Sequence, residues 1–296
     1  MNPSTDLLAA GARRRHRRRQ LTNRVMLGLA AGAAVVAIIP LVWIIAYVFV
    51  QGIQAISLDF FTGLPTPVGV PGGGIANAIV GSLITVGLGL VFAAPVGLLV
   101  GIYASARPRS RSGIAIRFLT DTVAGVPSIV MGIFAYTIVV LPMGHFSALA
   151  GAVVLAFIML PIIIRSTEEM LKLVPGSLRE GSLALGAAEW RTTWRVLLPA
   201  AVSGIVTGLM LAIARAAGEA APMLFTAFGN PFMSTDLDQP IATLPHTIYV
   251  YAISPYPDWQ AKAWGTALVL IVLVLVLNVA ARSLVGWRAR GMGAVR

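Results

Sequence analysis

The chain has 296 residues, 57% of them hydrophobic and 11% charged, with a mean hydropathy of +0.86 and a formal charge of +11. Soluble domains carry about 25% charged residues, so this composition excludes one. Cysteine is absent, the three histidines (His16, His145, His246) lack metal-ligand spacing, and neither lysine (Lys172, Lys262) follows a glycine. Thiolate chemistry, a catalytic metal and an ATP-binding phosphate loop are therefore not expected, nor is any cofactor.

Charge-free runs lie at 25–58, 60–106, 122–164, 196–214 and 263–281. About 20 apolar residues cross a bilayer. Residues 1–24 form a basic tail, and Val25–Val50 is a first span, too long for the apolar part of a cleavable signal. Residues 51–74 form an extracytoplasmic loop whose segment Gly63–Gly74 is too rich in Pro and Gly to be helical. The remaining core, 75–285, carries five further spans, the first at Ile75–Ala106. A break at Leu141–Phe146 separates Phe118–Leu141 from Phe146–Ile164, and Ala200–Phe228 and Ala263–Leu284 complete the set. The expected fold is all-α, a polytopic membrane protein with six transmembrane helices and a short tail at 286–296.

Basic residues accumulate in short cytoplasmic loops. Seven lie in the N-terminal tail, four between the second and third spans, five between the fourth and fifth, and four in the C-terminal tail. Arg215 lies inside a span, which leaves Lys262 alone on the opposite face beside Asp59, Asp236, Asp238 and Asp258. Both termini are expected on the cytoplasmic side. The run Arg13–Arg19 is explained by this orientation and by attraction to anionic lipids, so no nucleic acid is expected as a partner.

The fourth-to-fifth connection, 165–199, is longer than a connector needs to be. Ser177 and Glu180 have the spacing of a capping box, and Gly186 is placed to end the helix they would start. A second helix, Ala187–Leu198, carries Trp190 and Trp194 and would stop at Pro199. The pattern fits two short helices bent into a projecting knob, or helices lying flat at the lipid interface.

Here the sequence resembles a family. Glu180-Gly181-Ser182, three residues, Gly186, nine residues, then Val196-Leu197-Leu198-Pro199 is similar to the EAA loop of permeases from ABC importers, with Gly181 and Ser182 in place of two alanines. The segments around Leu160–Glu169, Asp121–Gly132 and Ala214–Ala227 resemble phosphate-specific permeases of the PstA type. The resemblance implies the type I importer fold and a non-catalytic permease subunit in the cell membrane. It implies a homologous second permease as heterodimer partner, two ATPase subunits and an extracytoplasmic phosphate-binding protein. It makes Glu180, Gly181, Ser182, Gly186, Leu198 and Pro199 the ATPase-coupling element.

Arg215 and Glu219 stand independently of resemblance. An arginine near the centre of a span costs several kcal/mol (about 2.5–3.5 on insertion scales), so its face should line protein or water. Four residues apart on one helix, the two can pair, either as a packing salt bridge or as part of an anion site. Arg165, ending the fourth span, either snorkels to the interface or lines the exit path. Asp121 reads as a helix-start partner of Arg117. The substrate-path residues are thus Arg215, Glu219 and Arg165. Another oxyanion (sulfate, phosphonate) and a secondary anion transporter are the alternative readings.

Overall fold

The computed structural model describes residues 3–70 and 72–293, with side chains described at 16, 18–70, 72–281 and 283. Arg13, Arg14, Arg15 and Arg17 of the basic run, and the side chains of the 286–296 tail, lie outside these. Two compact units divide at Val50. The first is almost entirely one helix, α1 (Pro3–Gly52), whose described side chains are exposed along nearly its whole length. The basic tail expected at 1–24 is therefore helical from Pro3 and continuous with the first span.

The second unit opens with the end of α1, a 3-10 turn (Ile53–Ala55) and a short helix, α2 (Leu58–Thr62), capped by Ser57, whose hydroxyl accepts from the Phe60 amide. The Pro/Gly loop follows, pinned by Lys262, whose Nζ donates to Gly72 O at 2.6 Å. Long α3 (Ala76–Ala106) packs along α7 (Ala148–Lys172), and this is the most extensive helix contact of the chain. The helices come this close because α3 carries glycines at the interface. A Cβ on Gly97 would lie 2.7 Å from Ile163 Cγ2, and one on Gly101 would lie 2.7 Å from Thr167 Cβ. Small residues at such crossings are the usual means of close approach where lipid supplies no hydrophobic drive. Met159, Ile163, Val154 and Leu155 of α7 form the centre of the core.

Between these two helices the chain bends sharply within the expected third span, at the Gly125 and Pro127 positions. Helix α4 (Arg111–Ala124) and helix α5 (Ser128–Ala135) meet at 102°, so Phe118–Leu141 is a broken pair. Gly125 caps α4 and Pro127, without an N–H, starts α5, which is the bend these residues suggest. Helix α5 runs on through a π turn (Tyr136–Val140) into the single turn α6 (Leu141–Met143).

The knob consists of α8 (Gly176–Ala184) and α9 (Glu189–Thr192). Two local expectations fail. Pro175, not Ser177, precedes α8, and no side chain caps it. Nor does Pro199 stop the second helix, because a π turn (Thr193–Leu197) leads directly into α10 (Leu198–Ala217). The Leu198 amide donates to Thr193 O, five residues back. The wider turn lets the helix continue past a proline that has no amide to give.

Helix α10 ends at Gly218, so Ala200–Phe228 is also broken. Pro222, in the first turn of α11 (Ala221–Thr226), could not continue α10 because its ring would meet the carbonyl of Gly218. The break lets α11 pack on α5, where a Cβ on Gly132 would lie 2.8 Å from Pro222 Cα. Helices α12 (Leu244–Ala252) and α13 (Pro257–Gly293) complete the chain. Among the described residues, five helices are long and apolar enough to cross a membrane, or six if the bent α4–α5 pair counts as one span.

Candidate functional site

Arg215 lies in the last turn of α10, not at the centre of a continuous helix. Its level is nevertheless deep. It lines a crevice of about 90 Å³ with Pro161 and Ile162, half-way along α7, and with Val123, Val126 and Ser128 at the α4–α5 break. The guanidinium is 56% exposed, while Glu219 is 17% exposed. Their closest approach, Arg215 Nε to Glu219 Oε1, is 3.8 Å. That is beyond hydrogen-bond length, so the pair is a charge contact and the five N–H donors of the guanidinium are not engaged by it. The cation is partly neutralised yet available to a second anion.

The other charges at this side of the bundle are arranged differently. Arg165, 46% exposed, is flanked by carboxylates. Its Nε donates to Glu169 Oε1 at 2.8 Å, and its Nη1 lies 3.8 Å from Asp121 Oδ1. Asp121 therefore faces Arg165 rather than Arg117, a correction with a plain cause. Arg117 reaches across to Glu168 of α7, donating through Nε at 2.6 Å, and also bonds Pro108 O and Ala104 O. Glu168 is 1% exposed and takes Lys172 as well. No reading of the sequence singled out Glu168; the available signal was an acidic pair inside the end of an apolar helix, with a lysine one turn on.

The knob exposes apolar side chains at its tip. Leu185 is 90% exposed, and Trp190 and Leu178 are also exposed. Gly186, at φ +78°, takes the left-handed turn that separates α8 from α9, a conformation that favours glycine. Ser182, which stands where the EAA pattern has alanine, hydrogen-bonds Thr192 across the turn at 2.8 Å. Arg179 and Glu189 form a second link at 3.2 Å. Glu180 and Gly181 are exposed on α8, and Leu198 and Pro199 sit at the root of α10.

A much larger cavity, about 670 Å³, lies elsewhere. It is walled by the loops at 64–67 and 228–232 and by α12, and its lining is mostly apolar. It offers an anion little. Burial pushes His246 below its ordinary range, which keeps the ring neutral, and the nearby Lys262 is engaged with Gly72 and Thr66. Volume alone does not make a site for a charged solute, and the small crevice at Arg215 is the better placed of the two.

A deep, under-used cation beside a broken span, and a loop-borne apolar knob, describe a solute permease worked by a partner. The chain belongs to the family of binding-protein-dependent transport system inner membrane components, whose sequence profile matches residues 97–293. Within that family it is 46% identical to the phosphate transport system permease protein PstA of Yersinia pestis, over 93% of this chain and 94% of that one. It is 43% identical to PstA of Haemophilus influenzae over 89% and 94% of the respective chains. To PstA 1 of Mycobacterium tuberculosis (strain ATCC 25618 / H37Rv) it is 36% identical, over 89% and 87%. Its fold matches a chain of the MetNI methionine ABC transporter in an inward-facing conformation, with a TM-score of 0.59 at 21% identity, over 71% of this chain and 95% of that one. The fold is that of type I ABC importer permeases.

Proposed function

We propose that this chain is the transmembrane subunit of an ATP-driven importer of inorganic phosphate. It forms half of the translocation path with a homologous second permease, docks an ATPase subunit through the knob and its root (176–199), and receives phosphate from an extracytoplasmic binding protein. Both termini and the knob face the cytoplasm, as the placement of 20 of the 22 basic residues supports. The subunit itself is non-catalytic; ATP hydrolysis belongs to a separate subunit.

The observation that carries the substrate is Arg215. A guanidinium matches a phosphate oxyanion with two parallel hydrogen bonds and stays charged at any working pH. Glu219, at 3.8 Å, lowers the cost of holding that cation in the bundle and repels an arriving anion. Binding is then weak and reversible, as a path requires. Arg165, flanked by Glu169 and Asp121, is assigned to the exit path only as a guarded charge. Its two carboxylates discourage an anion from lingering.

The test is uptake into vesicles holding the whole assembly, with phosphate and sulfate compared, with and without ATP. Phosphate uptake that needs ATP and collapses in Arg215→Gln supports the reading. Equal transport of sulfate would make the chain a permease for another oxyanion, and uptake by this chain without the ATPases would make it a secondary transporter.

A further inference from the structure

The Arg117–Glu168–Lys172 cluster centres on a buried carboxylate, Glu168, 1% exposed. Replacing a buried ion pair with apolar side chains of similar volume is often neutral or stabilising, because desolvation offsets the attraction. What an ion cluster adds over an apolar contact is direction. Here Arg117 fixes three things at once. Its Nε holds Glu168 on α7, its Nη1 holds Pro108 O in the turn after α3, and its Nη2 holds Ala104 O at the end of α3. Lys172, the last residue of α7, holds the same carboxylate oxygen, Oε1, and α8 begins four residues later at Gly176. Arg165 and Asp121, one turn deeper on the same two helices, add a looser rung.

The other end of α4 is the 102° break that walls the Arg215 crevice. From Arg117 to Ala124 is seven residues, about 10 Å of helix. The knob is therefore connected to both walls of the crevice. One connection runs through the π turn into α10 and Arg215. The other runs from α8 back through Lys172, Glu168 and Arg117 into α4. We infer that Glu168 is a positioning residue, the pivot of a strut that carries displacement of the knob to the α4–α5 break and so opens and closes the Arg215 crevice. This rests on the functional reading above for what passes through the crevice, but not for the motion itself.

The chain has no cysteine, so a spin-label pair can be placed cleanly. Thr122→Cys on α4 and Thr207→Cys on α10 are exposed positions outside the cluster and the crevice. In the whole assembly, the distance between the labels is measured without nucleotide and after trapping with ATP and vanadate. The comparison is made between the native cluster and Arg117→Met/Glu168→Met, which keeps volume but removes direction. The expected result is a distance change on trapping with the native cluster that is lost in the double variant, at unchanged resting distance. Phosphate moved per ATP hydrolysed should fall about fivefold or more in that variant, the size of a typical coupling free energy. A distance change that persists in the double variant, or none with the native cluster, overturns the strut. Should the double variant fail to assemble, Glu168→Gln must show the change at least halved, and an undiminished change there is equally fatal. If the distance change behaves as expected but the native assembly moves no phosphate, the strut stands and the substrate assignment falls.

Discussion

Arg117 and Arg215 lie on neighbouring parts of one bundle and are used in opposite ways. Arg117 commits all three guanidinium nitrogens to the protein, in bonds of 2.6, 2.8 and 3.3 Å, and is 21% exposed. Arg215 is 56% exposed and meets one carboxylate at 3.8 Å. The first has every nitrogen tied to the protein and two N–H groups to spare, whereas the second has all five unengaged by hydrogen bonds. In a membrane bundle every buried cation is costly, so position alone does not separate structure from transport. Saturation of the donors does. By that measure Arg165, with one good bond and one long contact, falls between them.

The largest effect that would sharpen this contrast is at Arg215. Arg215→Gln should depress ATP-dependent phosphate uptake by roughly 10- to 100-fold, as loss of hydrogen bonds to a charged group of about 1.5–3 kcal/mol implies. Melting of the purified assembly should shift little. A variant that melts early but transports normally would place Arg215 with Arg117 and break the distinction. Arg165→Gln comes next. Its partners Glu169 and Asp121 are 52% and 63% exposed, and exposed pairs contribute up to about 1 kcal/mol, so uptake should change by no more than about fivefold. A loss as large as that at Arg215 would make Arg165 a second anion ligand.

The contrast was only half legible in the sequence. Arg215 stands out because it is the lone cation in an apolar run, and the bilayer makes that anomaly visible. Arg117 does not, because its partner Glu168 is 51 residues away and the local spacing rule points to Asp121 instead. Helix-local pairing is a weak force, and a buried carboxylate one helix away overrode it. The spans were readable for the same reason as Arg215, since lipid enforces length and composition. The break at Gly218 was not, although Pro222 signalled it, because the apolar run resumes after Glu219 and hides where the helix stops. In the knob, Gly186 was readable from its type, while the π turn that carries α10 past Pro199 has no signature in composition.

Smaller effects test whether the knob is a braced lever or a loose loop. Ser182→Ala restores the alanine of the family pattern but leaves the buried Thr192 hydroxyl without its 2.8 Å partner. Amide exchange across 176–192 should quicken by about fivefold, matching about 1 kcal/mol for one hydrogen bond, with uptake within about twofold. Exchange unchanged in this variant would mean that the brace is idle and that Gly186 alone sets the turn.

The smallest effect concerns His246, an ionisable group at the far cavity held by burial rather than by a partner. Burial pushes its pKa below the ordinary 6.5, so the folded protein binds fewer protons than the unfolded chain as the pH drops through that range. Stability rises with pH wherever the unfolded state binds more protons, so this contribution is full above pH 6.5 and is lost as the solution is acidified below it. Melting of the assembly should fall between neutral and mildly acidic pH, and His246→Gln should flatten that part of the profile. The backbone of Gly229, at φ +84°, lies against the ring so closely that a Cβ there would be 2.4 Å from His246 Cε1. A charged imidazole could not relax without moving the 228–232 loop. Equal acid sensitivity in His246→Gln would mean that the ring is hydrated, and the far cavity would then be open to ions after all. Its exclusion as the anion site would lose its electrostatic ground.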